Sequence, residues 1–126
     1  MIVADTDVLI DFLEDRQPGA LRVERAFLSD GLATTSISRF ELLAGARGET
    51  SKSAALRLLE AMPCLGVDAH AADCAADVRR GLTDTGRDIG TADTLIAGAV
   101  LSRGTQLLTR NRRHFERVPG LVLAEL

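Results

Sequence analysis

At 126 residues, with 46% hydrophobic and 26% charged side chains, the chain has the size and composition of one soluble globular domain. Such a chain buries about two-thirds of its unfolded surface, so folding requires neither a disulfide framework nor a structural metal. The formal charge is −3, and no apolar run approaches the ~18 residues of a membrane-spanning helix.

Taken in order, Ile2-Val3-Ala4 reads as a short buried strand. Asp5-Thr6 then starts a helix carrying Val8, Leu9, Phe12 and Leu13, which Pro18-Gly19 breaks. Residues 20–30 suit a second helix, stopped by Asp30-Gly31. Residues 32–36 form the second strand, 38–47 a helix, and 53–62 another ended by Pro63. Residues 64–68 are a third strand, 69–82 an Ala-rich helix, and 86–90 a loop. A strongly apolar helix follows over 92–102. Residues 106–109 are a fourth strand and 121–123 a fifth. Strands alternating with helices imply parallel βαβ units in an open α/β sheet. Ligands in such sheets bind beyond the carboxyl ends of the strands, near a topological switch point.

Charge is unevenly placed. Residues 1–63 hold seven Lys+Arg against ten Asp+Glu, and residues 64–126 hold eight of each. Within residues 103–117, Arg103, Arg110, Arg112, Arg113 and Arg117 face Glu116 alone, a local net of +4 able to contact phosphate or to form a solvated loop. Cys64 and Cys74 are too few and too far apart for a zinc ribbon and are expected as small buried hydrophobes. Met1 to Asp5 lacks the basic region of a signal peptide, so a cytoplasmic location is expected.

Three carboxylates stand out. Asp5 ends the first strand, Glu41 lies in the first turn of the helix after the second, and Asp93 lies in the first turn of the late apolar helix. Each has a plain explanation. Acids favour a helix N-terminus, Ser38 and Glu41 fit a capping box, and Thr91 fits an N-cap before Asp93. Together these explanations weaken. Asp93 shares a face with Ile96, Ala97 and Val100, and Asp5 emerges directly from a buried strand. Carboxylates crowded at a sheet edge repel one another and drive one towards protonation. A divalent cation removes that penalty, and oxygen-only ligands suit Mg²⁺ or Mn²⁺.

The residues Val3-Ala4-Asp5-Thr6-Asp7-Val8-Leu9-Ile10-Asp11, Ser38-Arg39-Phe40-Glu41-Leu42-Leu43-Ala44-Gly45, Ala92-Asp93-Thr94-Leu95-Ile96-Ala97-Gly98-Ala99 and Leu108-Thr109-Arg110-Asn111-Arg112-Arg113-His114-Phe115, with Val118-Pro119-Gly120-Leu121, fall in one order across almost the whole chain. This set resembles PIN-domain ribonucleases, specifically the VapC toxins of type II toxin–antitoxin pairs. The resemblance implies a PIN-like α/β fold with a central parallel sheet of about five strands flanked by helices, in a single domain over residues 1–126. It implies a Mg²⁺- or Mn²⁺-dependent endoribonuclease that cleaves phosphodiester bonds with metal-activated water. It also implies a VapB-like antitoxin partner and a homodimer or toxin–antitoxin hetero-oligomer. Carried over by position, Asp5, Glu41 and Asp93 are the catalytic and metal-binding acids. Thr6, Thr109 and Asn111 support them through hydroxyl and amide hydrogen bonds; His114 is expected beside them as a metal ligand, a phosphate contact or a turn residue, and the basic patch nominates Arg110, Arg112 and Arg113 to guide the RNA backbone. Two positions depart from the pattern. Position 7 is Asp where the family often has Asn or Ser. His114 stands where a fourth acid is common, so a fully occupied second metal site is not expected.

The antitoxin is expected in an apolar groove of the early helices, residues 8–28 and 40–59, with Phe12, Leu13, Leu21, Leu28, Leu43 and Leu56 as candidates. With four Phe and neither Trp nor Tyr, an extended base-stacking platform is not expected. A catalytically inactive PIN-like binding module is the alternative. Asp5-Thr6-Asp7 also resembles the start of haloacid-dehalogenase-like phosphatases, but the only lysine, Lys52, lies in a polar stretch and no acidic pair follows. A response-regulator receiver fails on the missing late lysine.

Overall fold

The computed structural model describes residues 1–126. Strands β1 (Ile2–Ala4), β2 (Leu32–Thr35), β3 (Cys64–Leu65), β4 (Gln106–Leu108) and β5 (Val122–Leu123) form one sheet in the order β3-β2-β1-β4-β5. Every neighbouring pair is parallel, so each return to the sheet requires a crossover on one of its faces. Helices α1 (Thr6–Leu13), α2 (Gly19–Arg25), α3 (Ser36–Gly45), α4 (Gly48–Glu60), α5 (Ala69–Asp84), α6 (Thr91–Ser102) and α7 (Arg112–Phe115) supply the crossovers.

Because side chains alternate along a strand, β1 feeds two cores. Ile2 and Ala4 join Val8, Leu9, Val23, Leu58 and Leu59 on one face. Val3 joins Ile96, Val100, Leu107 and Phe115 on the other. Helices α5 and α6 pack closely at Gly98, where a Cβ would lie 2.6 Å from the Ala71 carbonyl oxygen and 2.6 Å from the Ala75 Cβ. Strand β1 is central, and the chain departs from it to β2 on one side and reaches β4 on the other. The carboxyl ends of β1 and β4 therefore flank the switch point at which an open sheet leaves a crevice.

Several local expectations are corrected. Helix α3 begins at Ser36, not Ser38, because the Thr35 hydroxyl caps it by accepting from the Ser38 N–H at 3.1 Å. Ser38 is thus a buried helical residue, and Glu41 lies beyond the first turn without a capping-box role. Gly90, at φ 89°, precedes α6 in place of Thr91, a conformation that glycine adopts without a Cβ penalty. Residues 26–30 leave the α-helix and form a π turn after α2. Strands β3 and β5 shorten to two residues each at the two sheet edges. Residues 112–115, read as loop, form α7, anchored by the fully buried Phe115. Cys64 is exposed on edge strand β3 and Cys74 is half-buried; both thiols are free. No helix is long and apolar enough to cross a membrane.

Candidate metal-dependent nuclease site

The three singled-out acids are linked to one another around the carboxyl end of β1 through intervening hydrogen bonds. Asp5 follows β1 directly and is only 5% exposed. It caps α1, its Oδ1 accepting from the Thr6 N–H at 2.8 Å. Its Oδ2 accepts from the hydroxyl of the fully buried Thr109 at 2.7 Å. Thr109 follows β4, which pairs with β1 through Ala4 and Leu108, so strand register delivers the hydroxyl to the carboxylate. On the opposite flank, the Thr6 hydroxyl donates to Glu41 Oε1 at 2.7 Å, reaching α3.

The segment after β4 continues the run. The Asn111 N–H donates to the Thr109 hydroxyl oxygen at 3.0 Å. The Asn111 amide donates to Asp93 Oδ2 at 3.2 Å, and His114 Nδ1 lies 3.0 Å from the same oxygen. His114 Nδ1 is also 3.0 Å from Asn111 Nδ2, so its proton position determines which neighbour it serves. Glu41, Thr6, Asp5, Thr109, Asn111, Asp93 and His114 thereby form one hydrogen-bonded run across α3, β1, β4 and α6. The three acids and four supporting residues named from sequence all belong to it.

The arginines divide differently. Arg110, expected on the RNA backbone, turns instead to Asp11, its Nε donating at 2.6 Å and its Nη2 at 3.2 Å. Arg112 Nη1 donates to the Ala124 carbonyl at 2.9 Å, and Nε lies 3.7 Å from Glu116. Arg113 is exposed at the surface.

Sequence reasoning missed Asp11 and gave Asp7 no task. Both lie on α1, four residues apart and so on one face. Asp7 Oδ2 accepts from the Arg110 N–H at 3.0 Å, while its Oδ1 is buried without a partner. Asp11 is 3% exposed. The available signal was the like-charge spacing itself, because two acids at i and i+4 repel on a helix unless a cation lies between them.

The electrostatics follow from crowding. Burial, then the Asp7 charge, raise the Asp5 carboxyl from 3.8 to about 7; Asp93 adds to the rise, while the Thr109 and Thr6 hydrogen bonds oppose it. Asp7 is also raised, again chiefly by burial. A site that holds its carboxylates against their ionisation is stabilised by positive charge. The acids offer carboxylate oxygens, the unpartnered Asp7 Oδ1 among them, and this is the chemistry of a hard cation, with the His114 nitrogen beside Asp93 as the exception. No three Asp, Glu, His or Cys side chains converge into a ready-made metal cage. An ion that keeps several waters and takes one or two carboxylates together with a substrate phosphate, as Mg²⁺ does, does not require such a cage.

Residues 2–121 match the profile of the PIN domain. The chain is 35% identical over 122 residues to a tRNA(fMet)-specific endonuclease VapC of Shigella flexneri, covering 93% of this chain and 91% of that protein. Among solved structures, VapBC-1 from nontypeable Haemophilus influenzae superposes with a TM-score of 0.83 at 30% identity, covering 99% of this chain and 98% of that one. VapBC2 from Rickettsia felis, solved bound to a promoter DNA fragment, superposes with a TM-score of 0.89. At 23% identity, with 100% and 99% of the two chains covered, that likeness speaks to the fold.

Proposed function

The chain belongs to the PIN-domain family, in its VapC-type ribonuclease branch, and from that premise we propose a toxin of a VapBC-type pair that hydrolyses RNA with Mg²⁺ or Mn²⁺ held by Asp5, Glu41 and Asp93. One observation carries the metal reading: three acids lie on a single hydrogen-bonded run, and burial and neighbouring charge lift Asp5 to about 7. When bound, the ion supplies charge neutralisation and water activation for phosphodiester hydrolysis.

The chain's own residues do the positioning. The Thr6 hydroxyl donates to Glu41 and the Thr109 hydroxyl to Asp5, fixing the orientation of both carboxylates. Asn111 orients Asp93 and holds Thr109 through its N–H. His114, against Asp93 where a fourth acid is common in the family, adds a nitrogen donor in place of a negative charge. Arg113, exposed, draws the RNA backbone towards the site electrostatically. Transfer RNA is the first substrate class to offer, because the Shigella relative is named for it.

A VapB-like antitoxin would seat in the apolar groove between α1, α3 and α4. A cavity of about 340 Å³ lies there, lined by Ile10, Leu13, Leu42, Ala54 and Ala55, with Glu41 at its wall. Of the six candidates only Leu13 lines it; Phe12, Leu43 and Leu56 are half-buried, and Leu21 and Leu28 are exposed. A toxin–antitoxin hetero-oligomer in the cytoplasm follows from this reading. The test is cleavage of a structured RNA panel by antitoxin-free protein with Mg²⁺, Mn²⁺ or EDTA, beside Asp93→Ala. Metal-dependent cuts at defined sites, lost in the variant, are expected. Folded wild type that cuts nothing under either metal would refute the nuclease and leave a binding module.

A further inference from the structure

We infer that Arg110 and Asp11, assisted by Asp7, form a tie that seats Thr109 and Asn111 against Asp5 and Asp93, making Arg110 a positioning residue and not an RNA contact. The inference rests on the ribonuclease reading above. Arg110 lies between the two residues whose side chains reach the acids. It is held at both ends: its N–H by Asp7 Oδ2 at 3.0 Å, its guanidinium by both oxygens of Asp11. Such a fork constrains orientation as well as distance. With backbone and side chain both anchored to α1, the residues on either side have little freedom to drift from Asp5 and Asp93.

The other end of the tie is equally constrained. Asp11 is 3% exposed, whereas the Arg110 side chain is 44% exposed. A Cβ at Gly19 would collide with the Asp11 carboxylate, so the glycine at the start of α2 leaves the space in which that carboxylate lies. A buried acid beyond the reach of RNA thus determines where the Arg110 fork points. Asp7 and Asp11, one helical turn apart, need a cation between them, and Arg110 supplies it.

The experiment measures kcat, KM and salt dependence for wild type, Asp11→Asn, Arg110→Lys, Arg110→Ala and Asp11→Ala/Arg110→Ala. Amide hydrogen exchange at Arg110 and Asn111 is followed in the metal-free proteins. Arg110→Lys keeps the positive charge beside Asp11 and loses only the fork, so it tests the tie without stranding a buried acid. Asp11→Asn and Arg110→Lys are expected to lower kcat on the order of 10–100-fold, the scale of a small misplacement at a reacting centre. KM and the salt slope stay as in wild type. The double variant loses no more than Arg110→Ala alone, as partners in one interaction do. Amide exchange at Arg110 and Asn111 accelerates in Asp11→Asn and is unaltered within α5 and α6.

A raised KM and a salt slope reduced by about one in Arg110→Ala, with Asp11→Asn retaining wild-type kcat, would make Arg110 a phosphate contact and overturn the tie. Unchanged exchange at Arg110 and Asn111 in Asp11→Asn overturns it whatever the activity. Wild type that cleaves no RNA, with faster exchange at those amides in Asp11→Asn, would refute the ribonuclease reading and uphold the tie.

Discussion

Replacing Asp5 with Asn should stabilise the metal-free protein at alkaline pH while abolishing cleavage. The Asp5 carboxyl stands at about 7 in the folded protein against an ordinary 3.8. The folded state therefore binds a proton more readily than the unfolded chain, and between pH 4 and 7 stability falls as pH rises. At 1.36 kcal/mol per pKa unit, ionising Asp5 in the fold costs about 4 kcal/mol at pH 8. Asn removes that cost and preserves the shape. Its carbonyl can accept from the Thr6 N–H, and its amide can donate to the Thr109 hydroxyl in place of the bond now donated to Oδ2. Rearranging these bonds costs about 1–2 kcal/mol, leaving a net gain of about 2–3 kcal/mol at pH 8. At pH 5 the wild-type carboxyl is already protonated, and the advantage of Asn shrinks by about 2.7 kcal/mol. The assay is urea unfolding of both proteins in EDTA at pH 5 and pH 8. A difference in stability between the two proteins that is the same at both pH values would refute the argument, because it would mean that Asp5 ionises as freely in the fold as outside it.

Three further outcomes follow from the same geometry. Thr109→Val removes the hydroxyl that donates to Asp5 and accepts from Asn111; it should lower cleavage about 10–100-fold, the usual loss when a residue orienting a metal ligand is removed, as measured by initial rates at saturating Mn²⁺. Gly98→Ala forces a methyl group against the Ala71 carbonyl and Ala75 and should destabilise the protein by about 1–3 kcal/mol, read from its unfolding midpoint, with no gain of packing. Arg113→Ala should weaken RNA binding and reduce the slope of log K against log salt by about 0.7–0.9, one phosphate contact, in a titration of RNA binding.

How far the sequence reached differs between the sheet and the site. Five short strand-like runs separated by helical periods specified the parallel α/β plan, because parallel neighbours in a sheet must be joined by a crossover. Helix starts were less legible: α3 begins at Ser36 where 38 was expected, and α4 at Gly48 where 53 was expected. Ser38 reads as a cap in isolation, but Thr35 at the end of β2 already occupies that role, and only the position of the strand end decides between two hydroxyl residues three positions apart. The π turn after α2 carries no local signal that separates it from a continuing α-helix.

Asp5 and Asp93 were conspicuous because an acid beside a buried strand or on an apolar helix flank is costly, whereas Glu41 stood out by a first-turn position that α3 does not give it. Their arrangement belongs to the tertiary structure. Thr109 reaches Asp5 across 104 positions because β4 pairs with β1, and no local pattern encodes that register. The same holds for Arg110. Within its own segment it is one of several arginines in a basic stretch, with nothing to distinguish it from Arg113. Once β4 is laid beside β1, its guanidinium meets a carboxylate 99 positions away and is held there as a fork. Sequence by itself determined which residue types this protein brings to the switch point. Sheet order and helix packing alone decided which of them touch, since a side chain's partners depend on distances that only the folded chain defines.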